Sequence, residues 1–286
     1  RAWGDPDFKQ RLLEDGRAAI SELGFIERQG AELVVVENAS EDDSAARIAS
    51  EFPSVRLICN AENHGYAAGV NQGVAASVGQ WVLLLGSDAC LSGGALSELL
   101  AFMESATGYG ACAPRLVGAD GETQRACASF PLPRTALWFG TPLQSWFPRS
   151  PELKRYFMLD FAHDADADVE QPPATCLLLS RELWDSMGGM DEELWLFFND
   201  VDLCKRLGEL GLKLRYLASP SVQHVGGAST ARYSGFVERW HTERLLCLRE
   251  HHGLLSALMA RLGKSWAMGA WALRRLFFLE QDSFWG

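Results

Sequence analysis

Two aspartates stand where a carboxylate could do chemistry. Asp88 ends the apolar run LLLGSD, and Asp200 follows the aromatic run LWLFFN. A carboxylate after a buried strand can hold Mg²⁺ or Mn²⁺ while diphosphate oxygens complete the coordination shell, although a turn-forming aspartate is the alternative at Asp88. Aromatic neighbours exclude water and raise a carboxylate's basicity, which suits Asp200 to accept a proton. Asp202 is explained by the start of a helix, where acidic residues are favoured.

Three further positions carry polar groups that a ligand could use. Glu37 and Asn38 directly follow the apolar run VVV, at the carboxyl end of a predicted strand, and open α/β sheets bind ligands at such ends. A helix cap at Ser40 or Asp42 explains this stretch equally well. The run NHGYAAGVNQG has glycines spaced for close backbone approach to a ligand, or for helix packing. His224 is a candidate metal ligand, and a structural histidine is the alternative.

Alternating strands and helices must position these groups. Short apolar runs predict strands at residues 31–36, 55–59, 81–85, 176–179 and 213–217. Apolar periodicity predicts helices at residues 8–23, 44–51, 67–77, 96–105, 181–187, 202–210 and 236–279. This alternation predicts a parallel sheet with helices on its faces. The irregular segment 117–173 is expected to be a binding loop.

Composition narrows the class of protein. The 286 residues are 48% hydrophobic and 22% charged, which is ordinary for a soluble globular protein. A net charge of -11 argues against non-specific nucleic-acid binding, which needs a basic surface. The seven cysteines form no CxxC pair and are expected to be reduced core thiols of a cytoplasmic protein. The sequence has no run of about 18 apolar residues that would predict a membrane span.

The motifs, taken together and in order, resemble the family 2 inverting glycosyltransferases with a GT-A fold, especially the rhamnosyltransferase-like branch. The motifs that carry this resemblance are VVENASEDDS, NHGYAAGVNQG, LLGSD, ATCLLLSR, GGMDEELWLFFNDVDL and PSVQHVGGAS. Each motif alone is weak, but their order and spacing from about residue 33 to 229 are specific. The resemblance implies a mostly parallel central sheet flanked by helices in a GT-A domain at residues 1–235, and a helical C-terminal extension at 236–286.

The resemblance also implies roles for individual residues. Asp200 would be the general base, and Asp88 and His224 would hold Mg²⁺ or Mn²⁺. The nucleotide-sugar side would comprise Glu37, Asn38, Ser40, Asn63, Gly65, Tyr66, Gly69, Asn71, Ser87 and Asp88. The acceptor side would comprise Asp191, Glu192 and Trp195. The sequence departs from the family pattern at Glu37, Gly86-Ser87 and Asn199, which puts the donor preference in doubt.

The implied function is transfer of a sugar from a nucleoside-diphosphate sugar to a glycan or lipid-linked acceptor in bacterial surface polysaccharide synthesis. A non-catalytic glycan-binding or scaffold protein on the same fold is the alternative. The family's first strand should precede residue 8, and because residues 1–7 cannot supply it we expect an N-terminal truncation. Residues 254–279 combine apolar side chains with arginine and tryptophan. We therefore weigh contact with the inner face of the cell membrane against core packing there.

Overall fold

The computed structural model describes residues 32–40, 42–224 and 236–278. The strands are β1 (Val34–Glu37), β2 (Arg56–Cys59), β3 (Trp81–Leu85), β4 (Ala89–Leu91), β5 (Tyr109–Val117), β6 (Ala167–Val169), β7 (Cys176–Ser180) and β8 (Lys213–His224). The helices are α1 (Ser44–Glu51), α2 (Tyr66–Ala76), α3 (Ala95–Ser105), α4 (Thr135–Trp138), α5 (Pro142–Trp146), α6 (Pro151–Tyr156), α7 (Arg181–Met187), α8 (Asn199–Glu209) and α9 (Phe236–Phe278). The predicted helix at residues 8–23 lies outside the described residues.

The central sheet is mixed rather than mostly parallel. Its strand order is β3-β7-β5-β8-β4, and β6 pairs with β8. Within this sheet β5 and β8 are parallel, but β7 runs antiparallel to both β3 and β5. β1 and β2 form a separate parallel pair. The expected α/β fold is therefore confirmed, but the expectation that most neighbouring strands of the central sheet run parallel is wrong. Residues 118–175 return the chain to the end of the sheet where β5 stops, which makes β7 antiparallel to β5.

Helices cover both faces of the larger sheet, as predicted. Alternation along β7 sends Leu177 and Leu179 into one core cluster and Cys176 and Leu178 into another, because successive strand side chains point to opposite faces. The first cluster includes side chains of α2 and α8, and the second includes side chains of α3. The sheet is thus the middle layer between two helical layers.

Some boundaries differ from those predicted. β5 was not predicted because its sequence YGACAPRLV contains a glycine, a proline and small residues, and the pairing with β8 shifts register after Pro114. β4 was also not predicted. α8 begins at Asn199 rather than at 202, so Asp200 and Asp202 both lie in its first turn. The segment 117–173 contains three short helices and β6.

The long helix α9 begins at Phe236, as predicted, and bends at Gly253, whose φ and ψ of 76° and -178° are not helical. Its first segment packs on the domain through the buried side chains of Trp240, Cys247 and Leu248. The boundary at residue 235 between a GT-A domain and a separate C-terminal extension therefore stays a prediction. Among the described helices, none has the length and apolar character needed to cross a bilayer.

Candidate active site

Asp88 and His224 lie together at one end of the larger sheet. Asp88 follows β3 in a turn, and His224 is the last residue of β8, where it pairs with Ala89 of β4. Asp88 Oδ2 is 3.6 Å from His224 Nε2, and each side chain is 18% exposed. That separation is long for a hydrogen bond but suits two ligands that share one divalent ion, each about 2.1 Å from it. The two predicted metal ligands are therefore adjacent and accessible.

Gln124 fixes the orientation of the His224 ring. The Gln124 Nε2 group donates to the His224 carbonyl oxygen at 2.9 Å, which sets the amide so that its Oε1 faces His224 Nδ1 at 2.7 Å. Because Oε1 only accepts, Nδ1 carries the proton, so in the neutral ring the lone pair lies on Nε2, the nitrogen that faces Asp88. This tautomer is the one that a metal ligand needs. Gln124 lies about 100 residues from His224, and no local motif marked it.

Asp200 lies in the first turn of α8, where its side chain is partly buried. Its Oδ1 accepts from the Val201 backbone N–H at 2.8 Å. Burial raises the pKa of the Asp200 carboxyl, while hydrogen bonds from backbone N–H groups and from the Gln171 side chain oppose that rise. A carboxylate with a raised pKa is a stronger base than an exposed one. The preceding Phe198 has φ 61°, a left-handed conformation that is costly for a bulky residue, as is often found at functional sites.

Tyr66 connects the two acids. Burial raises the pKa of the Tyr66 phenol, and the negative charges of Asp200 and Asp88 raise it further. One partly buried phenol therefore feels the negative charge of both carboxylates, although they are 112 positions apart in the chain. Asp88 and Asp200, for which metal and base roles were predicted, therefore both lie close enough to Tyr66 for their charges to act on it.

Trp195 covers the start of α2. Its carbonyl oxygen accepts from the Tyr66 N–H at 2.7 Å. Gly65 has φ 91°, and a Cβ there would lie 2.4 Å from the Trp195 ring, so only glycine fits this position. The Arg239 guanidinium of α9 lies over the Trp195 ring, 4.6 Å from its centroid. Trp195, which was predicted to lie on the acceptor side, thus lies between the glycine-rich motif and α9.

Glu243 of α9 anchors the aromatic run before Asp200. This carboxylate is nearly inaccessible and accepts from the backbone N–H groups of Leu196 at 3.0 Å and Phe197 at 2.6 Å. Arg239 Nη1 lies 3.5 Å from the same carboxylate. No local pattern marked Glu243, because the two backbone groups that it holds lie 47 and 46 positions earlier.

The predicted nucleotide-side residues form a connected loop cluster. Asn38 donates to the Gly65 carbonyl oxygen at 2.8 Å and accepts from the His64 N–H at 3.1 Å. The Glu37 carboxylate accepts from the Ser40 N–H, and Asn63 Oδ1 accepts from the Gly65 N–H at 2.9 Å. These bonds tie the end of β1 to the start of α2.

Gly69 borders the same cluster, and Ser87 lies in the turn after β3. A Cβ on Gly69 would lie 3.6 Å from the Asn38 amide nitrogen, so this part of α2 lies close beneath the loop. Ser87 is exposed in the turn that carries Asp88.

Asn71 holds the loop that carries Asp191 and Glu192. Its amide donates to the Met190 carbonyl oxygen and to Glu192 Oε1, both at 2.9 Å, and accepts from the Met190 N–H at 2.9 Å. This engagement gives Asn71 a structural function beside its predicted nucleotide contact. Asp191 Oδ1 accepts from the Glu193 N–H at 2.9 Å.

An open cavity of about 240 Å³ lies between α2 and this loop. Glu192 lines it together with His64, Ala68 and Gln72. Glu192, one of the predicted acceptor-side residues, therefore lies next to the glycine-rich motif.

Comparison with known proteins identifies the family. The pattern described as "Glycosyl transferase family 2" matches residues 17–161, just over half of the chain. The chain belongs to glycosyl transferase family 2. It is 26% identical over 225 residues to the N-acetylglucosaminyl-diphospho-decaprenol L-rhamnosyltransferase of Mycobacterium tuberculosis. The matching region covers 74% of this chain and 72% of that protein. A 38-residue stretch, 13% of the chain, is also 58% identical to 18% of a cobalt-containing nitrile hydratase subunit alpha of Rhodococcus rhodochrous.

Solved structures confirm the GT-A glycosyltransferase fold. S. aureus TarS 1-349 in complex with UDP matches with a TM-score of 0.54 and 16% identity, covering 96% of this chain and 72% of that one. GalNAc-T7 with UDP, GalNAc and Mn²⁺ matches with a TM-score of 0.52 and 14% identity, covering 89% of this chain. The chain spans about half, 54%, of the length of that structure.

A second group of possible ligands in this family 2 chain is Asp202, Glu250 and His251, whose ligand atoms lie within 4.8 Å of one another. Here Asp202 Oδ1 accepts from His251 at 2.8 Å, and Oδ2 accepts from Arg206 at 2.8 Å. Because a guanidinium already neutralises this carboxylate, an ion pair accounts for the group. The expected structural role of Asp202 agrees with these contacts. The donors at Asp88 and His224 fit a divalent ion better.

Proposed function

We propose that this family 2 chain transfers a sugar, with inversion, from a nucleoside-diphosphate sugar to a hydroxyl of a glycan or lipid-linked acceptor. The observation that carries the proposal is the partly buried Asp200 carboxyl, whose pKa is raised and whose negative charge, like that of Asp88, acts on the Tyr66 phenol. A base and a metal ligand for the anionic diphosphate, both close enough for their charges to act on one phenol, are the groups that direct sugar transfer needs.

Asp200 acts as the base in the proposed reaction. Its carboxylate takes the proton of the acceptor hydroxyl as that oxygen forms a bond to the anomeric carbon. The bond from that carbon to the diphosphate oxygen breaks, and the diphosphate leaves with the electron pair. Attack and departure on opposite faces invert the anomeric centre in one step, so a covalent intermediate is not needed. The raised pKa keeps Asp200 basic enough to assist the attack.

Asp88 and His224 are the residues that would hold Mg²⁺ or Mn²⁺. When bound, such an ion neutralises negative charge on the diphosphate. Gln124 holds the His224 lone pair towards Asp88 for this purpose. Metal binding is supported by the similar structure that contains UDP and Mn²⁺.

The loop cluster around Asn38 would bind the nucleotide. Asn38, Asn63 and Gly65 are already connected, and Glu37, Ser40, Tyr66, Gly69, Asn71 and Ser87 complete the proposed donor side. Asp191, Glu192 and Trp195 would border the acceptor. The proposal of a lipid-linked acceptor in surface polysaccharide synthesis is supported by similarity to an enzyme named for transfer to a decaprenyl-linked sugar.

The deciding experiment measures transfer from UDP-, GDP- and dTDP-sugars to a polyprenyl-diphosphate-linked N-acetylglucosamine with Mn²⁺ present. Asp200→Asn should lower kcat by about 10²- to 10⁴-fold, because a general base contributes that much. Asp185→Asn, an exposed acid of α7, is the matched control and should be unaffected.

Two results would overturn the proposal. If wild type and Asp200→Asn, both folded by circular dichroism, are equally inert with every donor, a binding or scaffold role replaces catalysis. If the product has the anomeric configuration of the donor, by NMR coupling constants, inversion is wrong.

A further inference from the structure

The second segment of α9 follows the bend at Gly253, and its most apolar side faces away from the protein. After the bend at Gly253, Leu254 and Leu255 are 74% and 73% exposed. Leu258 and Leu262 continue the same face at 56% and 64% exposure. With about 100° between successive helical residues, these four leucines fall within a sector of about 100°.

Small residues occupy the opposite face and pack on the protein. Ser256 and Ala260 are buried, and a Cβ on Gly263 would lie only 2.6 Å from the Ala136 carbonyl oxygen of α4. This spacing of i, i+4 and i+7 defines the packed face. A surface helix normally turns its leucines inward and its small or polar residues outward. The arrangement here is reversed, so packing within the described protein does not explain the leucines.

Aromatic residues extend this apolar surface onto α5. Trp266 contacts Trp146 edge to face, with ring centroids 6.2 Å apart, and Phe147 follows directly. Trp266, Trp146 and Phe147 are 41%, 60% and 55% exposed. The leucine face is defined here as Leu254, Leu255, Leu258, Leu262, Trp266, Trp146 and Phe147. Contiguous apolar surfaces of this kind mark interaction sites.

The charge around the leucine face indicates its partner. No aspartate or glutamate occurs between Glu250 and Glu280, whereas four basic residues do: Arg261, Lys264, Arg274 and Arg275. The chain as a whole carries a net charge of -11, so this stretch is a local basic region. Arg261 is exposed beside the leucines. Apolar residues with flanking tryptophan and arginine are the pattern of helices that lie in the interface of an anionic lipid surface.

We propose that the leucine face docks on an anionic lipid bilayer, with the second segment of α9 lying in the plane of the interface. The packed face of Ser256, Ala260 and Gly263 keeps one side of the helix on the protein, so lipid contacts the other side alone. This inference stands on surface composition and packing. It does not depend on the proposed catalytic reaction, although docking would place a transferase next to a lipid-linked acceptor.

The test is flotation of the purified chain with vesicles that contain no sugar lipid and no nucleotide. We expect binding to vesicles of phosphatidylcholine with 30 mol% phosphatidylglycerol, and weaker binding to phosphatidylcholine alone. Leu255→Glu/Leu262→Glu should lower the partition coefficient at least tenfold. The matched control is Val78→Glu/Leu210→Glu, which changes two exposed apolar residues elsewhere and should stay within twofold of wild type.

A charge variant tests the electrostatic part separately. Arg261→Gln/Lys264→Gln should weaken binding to the anionic vesicles by about fivefold for each charge removed, and leave binding to phosphatidylcholine unchanged. Raising the NaCl concentration from 0.05 to 0.5 M should reproduce that loss in wild type. Circular dichroism and thermal melting verify that each variant is folded, and Leu258→Gln is a milder replacement if the double variant is not.

Three outcomes would overturn the proposal. The first is failure of wild type to float with anionic vesicles. The second is equal flotation of wild type and the folded leucine variants. The third is a dimer in light scattering that Leu255→Glu/Leu262→Glu dissociates, because the leucine face would then bind a second copy. Since the vesicles carry no acceptor, these outcomes are independent of whether sugar transfer occurs.

Discussion

Two aspartate–histidine pairs in this protein have similar chemistry and opposite surroundings. In the Asp202–His251 pair the atoms are 2.8 Å apart, the carboxylate is inaccessible, and Arg206 holds its second oxygen. In the Asp88–His224 pair the atoms are 3.6 Å apart and both side chains are partly accessible. Among the described residues, His224 is the ion-pair partner found for Asp88.

The difference separates a structural pair, Asp202–His251, from the proposed metal pair, Asp88–His224. A buried carboxylate that has a direct hydrogen bond and a guanidinium is already neutralised, so it stabilises a structure. A carboxylate that faces an imidazole lone pair across a gap leaves negative potential in an accessible place, which is where a divalent ion binds. Proximity of acids and histidines alone does not separate the two cases, since both pairs meet that criterion.

Asp202→Asn should produce the largest effect on stability. It leaves the partly buried Arg206 without its anion and leaves His251 with the longer 3.7 Å contact to Glu209, which costs about 3–5 kcal/mol of the free energy of unfolding. The measurement is urea denaturation monitored by circular dichroism. Asp185→Asn is the exposed control and should change that free energy by less than about 0.5 kcal/mol. A loss below 1 kcal/mol for Asp202→Asn would place this pair in the same class as Asp88–His224.

Asp88→Asn should show the opposite behaviour. We expect unfolding within about 0.5 kcal/mol of wild type, because the carboxylate is partly accessible and has no direct hydrogen bond to His224. The Mn²⁺-dependent increase in melting temperature on adding UDP or dTDP should disappear, with an affinity loss of at least about 100-fold by calorimetry. Asp202→Asn, if folded at the assay temperature, should retain the Mn²⁺ response. Retention of that response in Asp88→Asn contradicts the metal assignment.

Gln124→Leu should weaken Mn²⁺ binding without abolishing it. Loss of the amide leaves the His224 ring free to change tautomer and orientation, and such outer contacts are typically worth 10- to 100-fold in metal affinity. Calorimetry with Mn²⁺ and UDP measures the change. Gln124→Glu keeps an acceptor for Nδ1 and should recover part of the affinity. Equal affinities for wild type and Gln124→Leu would show that the amide does not orient His224.

The sequence predicted groups that follow a strand or begin a helix, and it missed partners that are distant in the chain. Asp88, Asp200 and the glycine-rich motif could be found because each ends or begins a periodic segment. The structure explains why position 65 must be glycine, since a side chain there would collide with the Trp195 ring. Gln124, Gln171 and Glu243 carry no local signal, because the site groups that they hold lie 29 to about 100 positions away.

The sheet shows the same limit. Local patterns predicted β3 and β7 but not the direction of their pairing, because strand order depends on where the segment 118–175 returns the chain. β5 lies at the centre of the sheet, yet its glycine and proline lower its strand propensity. Tertiary contacts on both faces override that local preference.

Gln171→Leu gives the smallest expected effect on activity. It tests the proposed base Asp200 rather than the proposed metal pair of Asp88 and His224. The Gln171 hydrogen bond lowers the pKa of Asp200 against the larger effect of burial, so its removal should raise that pKa further. Asp200 must be deprotonated to accept a proton, so activity is lost as pH falls through this pKa. The acidic limb of the kcat/KM profile should therefore move to higher pH, by no more than about one unit.

The same variant separates Asp200 from the metal pair. Mn²⁺ affinity measured by calorimetry at a fixed pH should stay within about twofold of wild type, because Gln171 contacts Asp200 rather than Asp88 or His224. A shift of the acidic limb to lower pH would contradict the hydrogen-bond assignment. An unchanged limb together with weakened Mn²⁺ binding would mean that Asp200 belongs with Asp88 in the metal site, and the base would then have to be sought elsewhere.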